Sequence, residues 1–194
     1  MSRKLHTAII ALLTGGSAAC ATFSVGSADL LAHGLDGFER RGDANWSFAD
    51  GVLQASTGGA TPSLAVTKED FGNFELTLEA YVSAEHNSGV FVRCPNHATV
   101  TATDCYEVNI FDKRPDQTYR TGGAPGFFKP LAHVDAGGKW NAITIRAQGP
   151  HLFVAFNGVT TIDSDGPLVG NGPIGLQWGA GDVKFRNVKI RRLN

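Results

Sequence analysis

Two short segments hold the densest set of groups able to do chemistry: Asn87-Ser88-Gly89-Val90-Phe91-Val92-Arg93 and Tyr106-Glu107-Val108-Asn109-Ile110-Phe111-Asp112. Both alternate apolar and polar residues, and along a strand successive side chains point to opposite faces. Glu107, Asn109 and Phe111 then share one face, and Gly89, Phe91 and Arg93 share one face of the other strand. If the strands pair with these faces together, Arg93 and Glu107 become neighbours. Glu79 and Gln177 sit on the non-core parity of their own strands and are expected to join them. A floor of carboxylates and planar amides, with Trp178 beside Gln177 as an aromatic wall, suits a small carbohydrate: polar groups for hydroxyls, a ring for the apolar sugar face. The plainer alternative is a cross-strand Arg93–Glu107 ion pair on a solvated face, worth at most about 1 kcal/mol. On that reading Trp46, Trp140 and Trp178 pack in the core or in turns.

Cys94 and Cys105 flank a polar, Thr-rich stretch, 95–104, with no hydrophobic period. In an exported chain this reads as a disulfide-closed loop, and a cross-link over so short a loop contributes about 3 kcal/mol by restricting the unfolded chain. A metal pair that includes His97 is the alternative, although two thiols and one His at this spacing match no zinc pattern. His86, His97, His133 and His151 are scattered, so no metal and no cofactor is expected. Asp112, Asp116 and Asp135 bracket a long irregular stretch, where Asp is ordinarily a turn former. There is no phosphate-cradling Gly loop, zincin helix or Ser nucleophile elbow.

The elements that must position these groups are strands. The chain has 194 residues with 24 Gly, 12 Phe and a single Met, a mixture suited to short strands and tight turns in one domain. Period-2 alternation recurs at 51–55, 64–67, 74–82, 89–94, 106–111, 140–146, 151–156, 159–163, 174–178 and 183–190. About ten strands imply an all-β, two-sheet antiparallel β-sandwich. Gln148-Gly149-Pro150 and Asn157-Gly158 read as hairpin turns. In the last strand the apolar parity switches from Val183 and Phe185 to Val188 and Ile190, which predicts a β-bulge near Arg186-Asn187. Residues before Trp46 read as a lead-in to the first strand. The stretch 112–138 is long for a compact domain, and such loops tend to carry function.

The net charge is -1, from 17 basic and 18 acidic residues, which argues against nucleic acid or an anionic lipid surface as partner. The first residues are basic, followed by a short apolar run from Leu5 to Leu13 and then small residues. That run is too short to span a bilayer and reads as a secretory signal within 1–28, cleaved after Ala21 or Ala28. Ser17-Ala18-Ala19-Cys20 is lipobox-like, so lipidation at Cys20 is the second reading. The mature domain, 29–194, is then expected in the periplasm or outside the cell, with its oligomeric state open.

The ordered set Phe71-Gly72-Asn73-Phe74-Glu75-Leu76, the two segments above, Thr121-Gly122-Gly123, Trp140-Asn141, Asn157-Gly158, Gly172-Pro173-Ile174-Gly175-Leu176-Gln177 and Phe185-Arg186-Asn187-Val188-Lys189-Ile190 resembles the 3-keto-disaccharide hydrolase domain family, over nearly all of the chain after Trp46. The chain departs from the family where an Asp-His-Gly often follows Leu-Gln; here Trp178-Gly179-Ala180-Gly181 stands instead. The resemblance implies a concanavalin-like jelly roll and an exported hydrolase acting on glycosides oxidised at C3. A C3 ketone acidifies the C2 hydrogen, so a base can form an enolate, the C1 aglycone leaves, and water adds. On this reading Glu107 is the base, Arg93 holds the oxyanion, Glu79, Asn109 and Gln177 orient the sugar, and Asn87 and Asp112 are rim contacts. A direct retaining or inverting hydrolase using Glu79 with Glu107 is the chemical alternative. A lectin-like binding module without catalysis is the rival class, since a sandwich does not itself imply an enzyme.

Overall fold

The protein is represented by a computed structural model that describes residues 26–58 and 62–194. The apolar leader, Cys20 and the junction after Ala21 lie outside the described residues. Thirteen antiparallel strands form two sheets among the described residues. They are β1 (Ala28–Asp29), β2 (Phe38–Arg41), β3 (Asn45–Ala49), β4 (Val52–Ser56), β5 (Ser63–Thr67), β6 (Phe74–Val82) and β7 (Ser88–Val92). There follow β8 (Tyr106–Ile110), β9 (Trp140–Gln148), β10 (His151–Phe156), β11 (Val159–Asp165), β12 (Gly175–Trp178) and β13 (Val183–Arg192). The larger sheet runs β11-β10-β9-β6-β13-β4-β3, with β1 on β13; the smaller runs β2-β5-β12-β7-β8. Among the described residues no helix is long and apolar enough to cross a membrane.

Pleating puts one face of each sheet into a shared core. From β6 come Phe74, Leu76, Leu78, Ala80 and Val82; against them lie Val90 and Val92 of β7 and Tyr106, Val108 and Ile110 of β8. Each fully buried Leu, Ile or Phe contributes about 1.5–3 kcal/mol to holding the sheets together. The expected turns form. At the β10–β11 hairpin Asn157 and Gly158 have φ of 50° and 81°, the two left-handed residues of a type I′ turn. The expected bulge forms too: the β13–β6 register breaks between Arg186 and Lys189, with Asn187 at φ 53°. This lets Val183, Phe185, Val188 and Ile190 all face inward. The lead-in is a correction. Residues before Trp46 supply β1, a 3-10 turn at Gly34–Gly37, β2 and the start of β3.

The long stretch 112–138 closes one side of the sandwich. Gly122 N donates to Asn109 O and Asn109 N to Gly123 O, so the segment runs along the outer edge of β8. Leu131 N reaches Thr161 O of β11, the edge of the other sheet. Between them Phe127 and Phe128 pack on the Tyr106 ring at 5.0 and 5.3 Å. The Asp112 carboxylate clasps the base of this loop, accepting from Thr121 Oγ1 at 2.5 Å, Ala136 N at 2.9 Å and Gly137 N at 2.8 Å.

Candidate functional site

The outer face of the smaller sheet is ordered by its register. On β7, Gly89 stands opposite Asn109 of β8 and Gln177 of β12, while Phe91 stands opposite Glu107 and Gly175. Gly89 is the key to the geometry. A Cβ there would lie 2.9 Å from Glu107 Cγ and 3.2 Å from Gln177 Oε1, so these side chains lean in from either side over the space a side chain would fill. Glu107 is 7% exposed and Asn109 0%. Three amide oxygens, Asn87 Oδ1, Asn109 Oδ1 and Gln177 Oε1, are buried without a hydrogen-bond partner in the protein. A buried polar atom left unpaired costs about 1–3 kcal/mol, so several on one face point to a ligand that brings donors. Asn109 is oriented by its Nδ2, which donates to Tyr119 O at 2.7 Å. Gly179 N donates to Asn87 O at 3.0 Å, which brings Asn87 to the same floor.

Burial holds the Glu107 carboxyl above its usual range, against the opposing pull of the Gln177 side chain and the Arg114 charge. A carboxylate of raised pKa is a stronger base than an exposed one. Arg114 comes from the 112–138 loop, and its Nε is buried without a partner. A Gly89→Ala substitution should push Glu107 and Gln177 apart and lower kcat/KM about 100-fold with the fold retained, the size of loss a displacement near 1 Å causes. Steady-state kinetics beside a far-UV circular dichroism spectrum checks this.

Of the residues singled out in the sequence, the structure brings Asn87, Glu107, Asn109 and Gln177 together and sends the others elsewhere. Arg93 follows the last residue of β7 with φ 58°, a left-handed turn that breaks the alternation and carries the side chain off the Glu107 face. Its guanidinium donates to Gly72 O at 2.6 Å, Asn73 Oδ1 at 3.0 Å, Gly149 O at 2.9 Å and Gly170 O at 3.5 Å, tying three loops together. Glu79 lies on the larger sheet and faces outward, accepting from Arg186 Nε at 2.8 Å and Nη2 at 2.6 Å and from Asn187 Nδ2 at 2.7 Å. Burial raises its pKa, but the Arg186 and Asn187 hydrogen bonds outweigh this and hold it low. Glu79 and Glu107 point away from each other across the core, so they cannot flank one glycosidic bond. Trp178 faces the core, with Nε1 donating to Gly181 O at 2.8 Å, and is no sugar platform. Asp112 is spent on its loop clasp. Trp140 lies on the outside of the larger sheet, with the Arg186 guanidinium 4.1 Å from its ring.

Cys94 and Cys105 are joined as a disulfide. The loop they close folds back over the outer face, where Val100 packs with Leu64, Val66, Phe91 and both cysteines in a second apolar cluster. The face is therefore half polar and open, half apolar and covered. Among the described residues no three His, Cys, Asp or Glu gather as a metal-ligand cluster.

Residues 29–191 match the family described as the 3-keto-alpha-glucoside-1,2-lyase-like domain. The chain belongs to that family. A candidate glycosyl hydrolase from Parabacteroides distasonis ATCC 8503 shares 29% identity at a TM-score of 0.65, covering 78% of this chain and 94% of its own. The carbohydrate binding module CBM66 from Bacillus subtilis shares the fold at a TM-score of 0.62 and 15% identity, covering 80% of this chain and 95% of its own. A prokaryotic beta-1,3-1,4-glucanase (lichenase) from a mouse hindgut metagenome does so at 0.53 and 15%, covering 80% and 93%. No curated protein matches the chain. The lyase-like family and the hydrolase relative assign a carbohydrate-related function, and the fold is one that hosts both cleavage and binding.

Arg114 was not picked out from the sequence, because it sits in an irregular loop where no periodicity assigns a face. The local signal that existed was a basic residue shortly after the Glu107 strand, in the long insertion.

Proposed function

We propose that this member of the lyase-like family cleaves glycosides whose sugar ring is oxidised at C3, with Glu107 as the base. The observation that carries this is a single buried carboxyl of raised pKa set among three unpartnered amide oxygens on one sheet face. Glu107 takes the proton from C2, the C2–H electrons form the enolate, and negative charge collects on the C3 oxygen. Arg114, whose charge acts on Glu107, meets that negative charge, in the role the sequence suggested for Arg93. The enolate then re-forms the ketone and expels the C1 aglycone oxygen, which takes the proton that Glu107 removed from C2. Water adds across C1=C2, hydroxyl to C1 and hydrogen to C2, and Glu107 returns to its starting state. Asn87, Asn109 and Gln177 accept hydrogen bonds from sugar hydroxyls and fix the ring over Gly89. A lectin-like module would use the same floor without product formation.

The test is product release from a 3-keto-glucoside compared with the same glucoside unoxidised. Cleavage is expected only of the ketone, because only the ketone acidifies C2. Glu107 must be ionised to act as base, and burial raises its pKa, so kcat/KM should fall as pH drops through that raised value. The acid limb of the profile then lies above the ordinary glutamate value of 4.5. Saturable binding of both sugars with no product would leave the binding-only reading in place. Export accompanies the proposal: the Cys94–Cys105 disulfide suits an oxidising compartment, and cleavage after Ala21 would leave β1 whole, whereas cleavage after Ala28 would split it.

A further inference from the structure

We infer that Gln117 is a positioning residue for the cleavage proposed above: its side-chain amide fixes the turn that presents Arg114 to Glu107, and the inference rests on that reading. Arg114 stands in a short turn, 112–119, at the start of the long loop that follows β8. Of residues 113–118 it alone is half-buried; Lys113, Pro115, Asp116, Gln117 and Thr118 are exposed. The turn is a surface excursion that sends one side chain inward, covered as far as Nε.

The main chain does little to hold such a turn. Pro115 has no N–H to give. The backbone bonds from Arg114 N to Phe111 O, Tyr119 N to Asp116 O and Arg120 N to Gln117 O are each 3.4 Å long, outside the ordinary range of about 2.7–3.2 Å. Side chains supply the short contacts. Gln117 Nε2 donates to Arg114 O at 2.5 Å and to Asp112 O at 3.0 Å, so one amide ties the carbonyl of Arg114 itself and that of the residue two before it. Asp116 Oδ1 accepts from Thr118 N at 3.0 Å and caps the 3-10 turn Gln117–Tyr119 that carries the amide. That turn is anchored in the candidate site, since Asn109 Nδ2 donates to Tyr119 O at 2.7 Å. The path from floor to cation is continuous: Asn109 to Tyr119, then Gln117 to Arg114.

Without the amide, Arg114 keeps its charge and loses its place. The strands beside Glu107 bring it no second charge among the described residues: β7 places Gly89 and Phe91 next to it, and β12 carries Gln177 and Gly175. Loss of the tie should therefore weaken two things together, the stabilisation of the enolate and the pull of Arg114 that opposes the burial of Glu107.

The experiment uses Gln117→Met, which keeps the length of the side chain, removes both donors and alters only an exposed position. The parent, Gln117→Met, Arg114→Ala and the double variant are compared in two ways: kcat and KM for a 3-keto-glucoside across pH, and titration of the Glu107 carboxyl by carbon NMR in the free proteins. Gln117→Met should lower kcat about tenfold with KM changed only a few-fold, part of the roughly 100-fold loss expected for Arg114→Ala. The Glu107 midpoint and the acid limb of kcat/KM should both move to higher pH. Added to Arg114→Ala, Gln117→Met should change neither rate nor midpoint. An unmoved Glu107 midpoint in Gln117→Met overturns the inference, and so does the same shift with Arg114 absent. A shift that needs Arg114, in a protein that releases no product, overturns the catalytic reading alone and upholds the hold of Gln117 on Arg114.

Discussion

Glu107→Gln should lower turnover of a 3-keto-glucoside about 10³-fold while its dissociation constant changes only a few-fold. The size follows from the usual contribution of a positioned general base, about 10² to 10⁴. Gln keeps the shape of the side chain over Gly89 but cannot take a proton. The same substitution should make the protein more stable at neutral pH. The Glu107 pKa is raised in the folded state, so the folded protein loses stability as pH rises from the unfolded value to the folded one, and the loss is complete above it. Gln carries no such cost. The variant should therefore melt a few degrees higher at pH 7, with the gap closing at acid pH, where Glu107 is protonated in both states. Turnover with the acid and the amide at equal rates would remove Glu107 from the mechanism; a lower melting temperature at pH 7 would contradict the burial argument.

Arg93→Ala is expected to do the opposite: to damage the fold and spare the chemistry. Arg93 is 3% exposed and its guanidinium serves the carbonyls of Gly72 and Gly149 and the side chain of Asn73. Removing it strands buried acceptors that no water readily reaches, at a cost of about 3 kcal/mol or more. Urea unfolding should show that loss, and Arg93→Lys should recover only part of it, since a point charge on a flexible stem cannot span three loops. Measured at low temperature, where the variant is still folded, kcat should stay within a few-fold of the parent. Intact stability with lost turnover would return Arg93 to the role the sequence suggested for it.

Much of the site was legible because period-2 alternation is a local property. It placed Glu107, Asn109 and Gln177 on the face away from the core, and it placed the bulge at Arg186-Asn187, where the parity of apolar residues changes. The same rule sends Trp178 inward, since it neighbours Gln177 on the same strand, and its choice as a sugar platform ignored that. Parity cannot say which sheet a strand joins. Glu79 and Gly89 belong to successive strands, yet the chain crosses between β6 and β7 from one sheet to the other. Arg93 failed for a different reason. A single left-handed residue at a strand end ends the alternation, and nothing in Val92-Arg93-Cys94 announces it. β2 was missed because Phe38-Glu39-Arg40-Arg41 carries three charged residues in a row and shows no alternation. The disulfide was legible from the spacing of Cys94 and Cys105 around a polar stretch, taken with the expected export of the chain.

The loop from Asp112 to Gly138 has one more consequence, for how copies of the chain meet. A bare strand edge is a template for a neighbouring chain, and a sandwich has such edges at both ends of each sheet. By taking up backbone groups of β8 and reaching Thr161 of β11, the loop denies a stranger that template on one whole side of the molecule. On the opposite side, β2 presents Glu39 and Arg40 exposed to solvent, charges that discourage edge-to-edge pairing. β3 carries no charged residue, so at high concentration or on partial unfolding its edge is where strand exchange between molecules should begin.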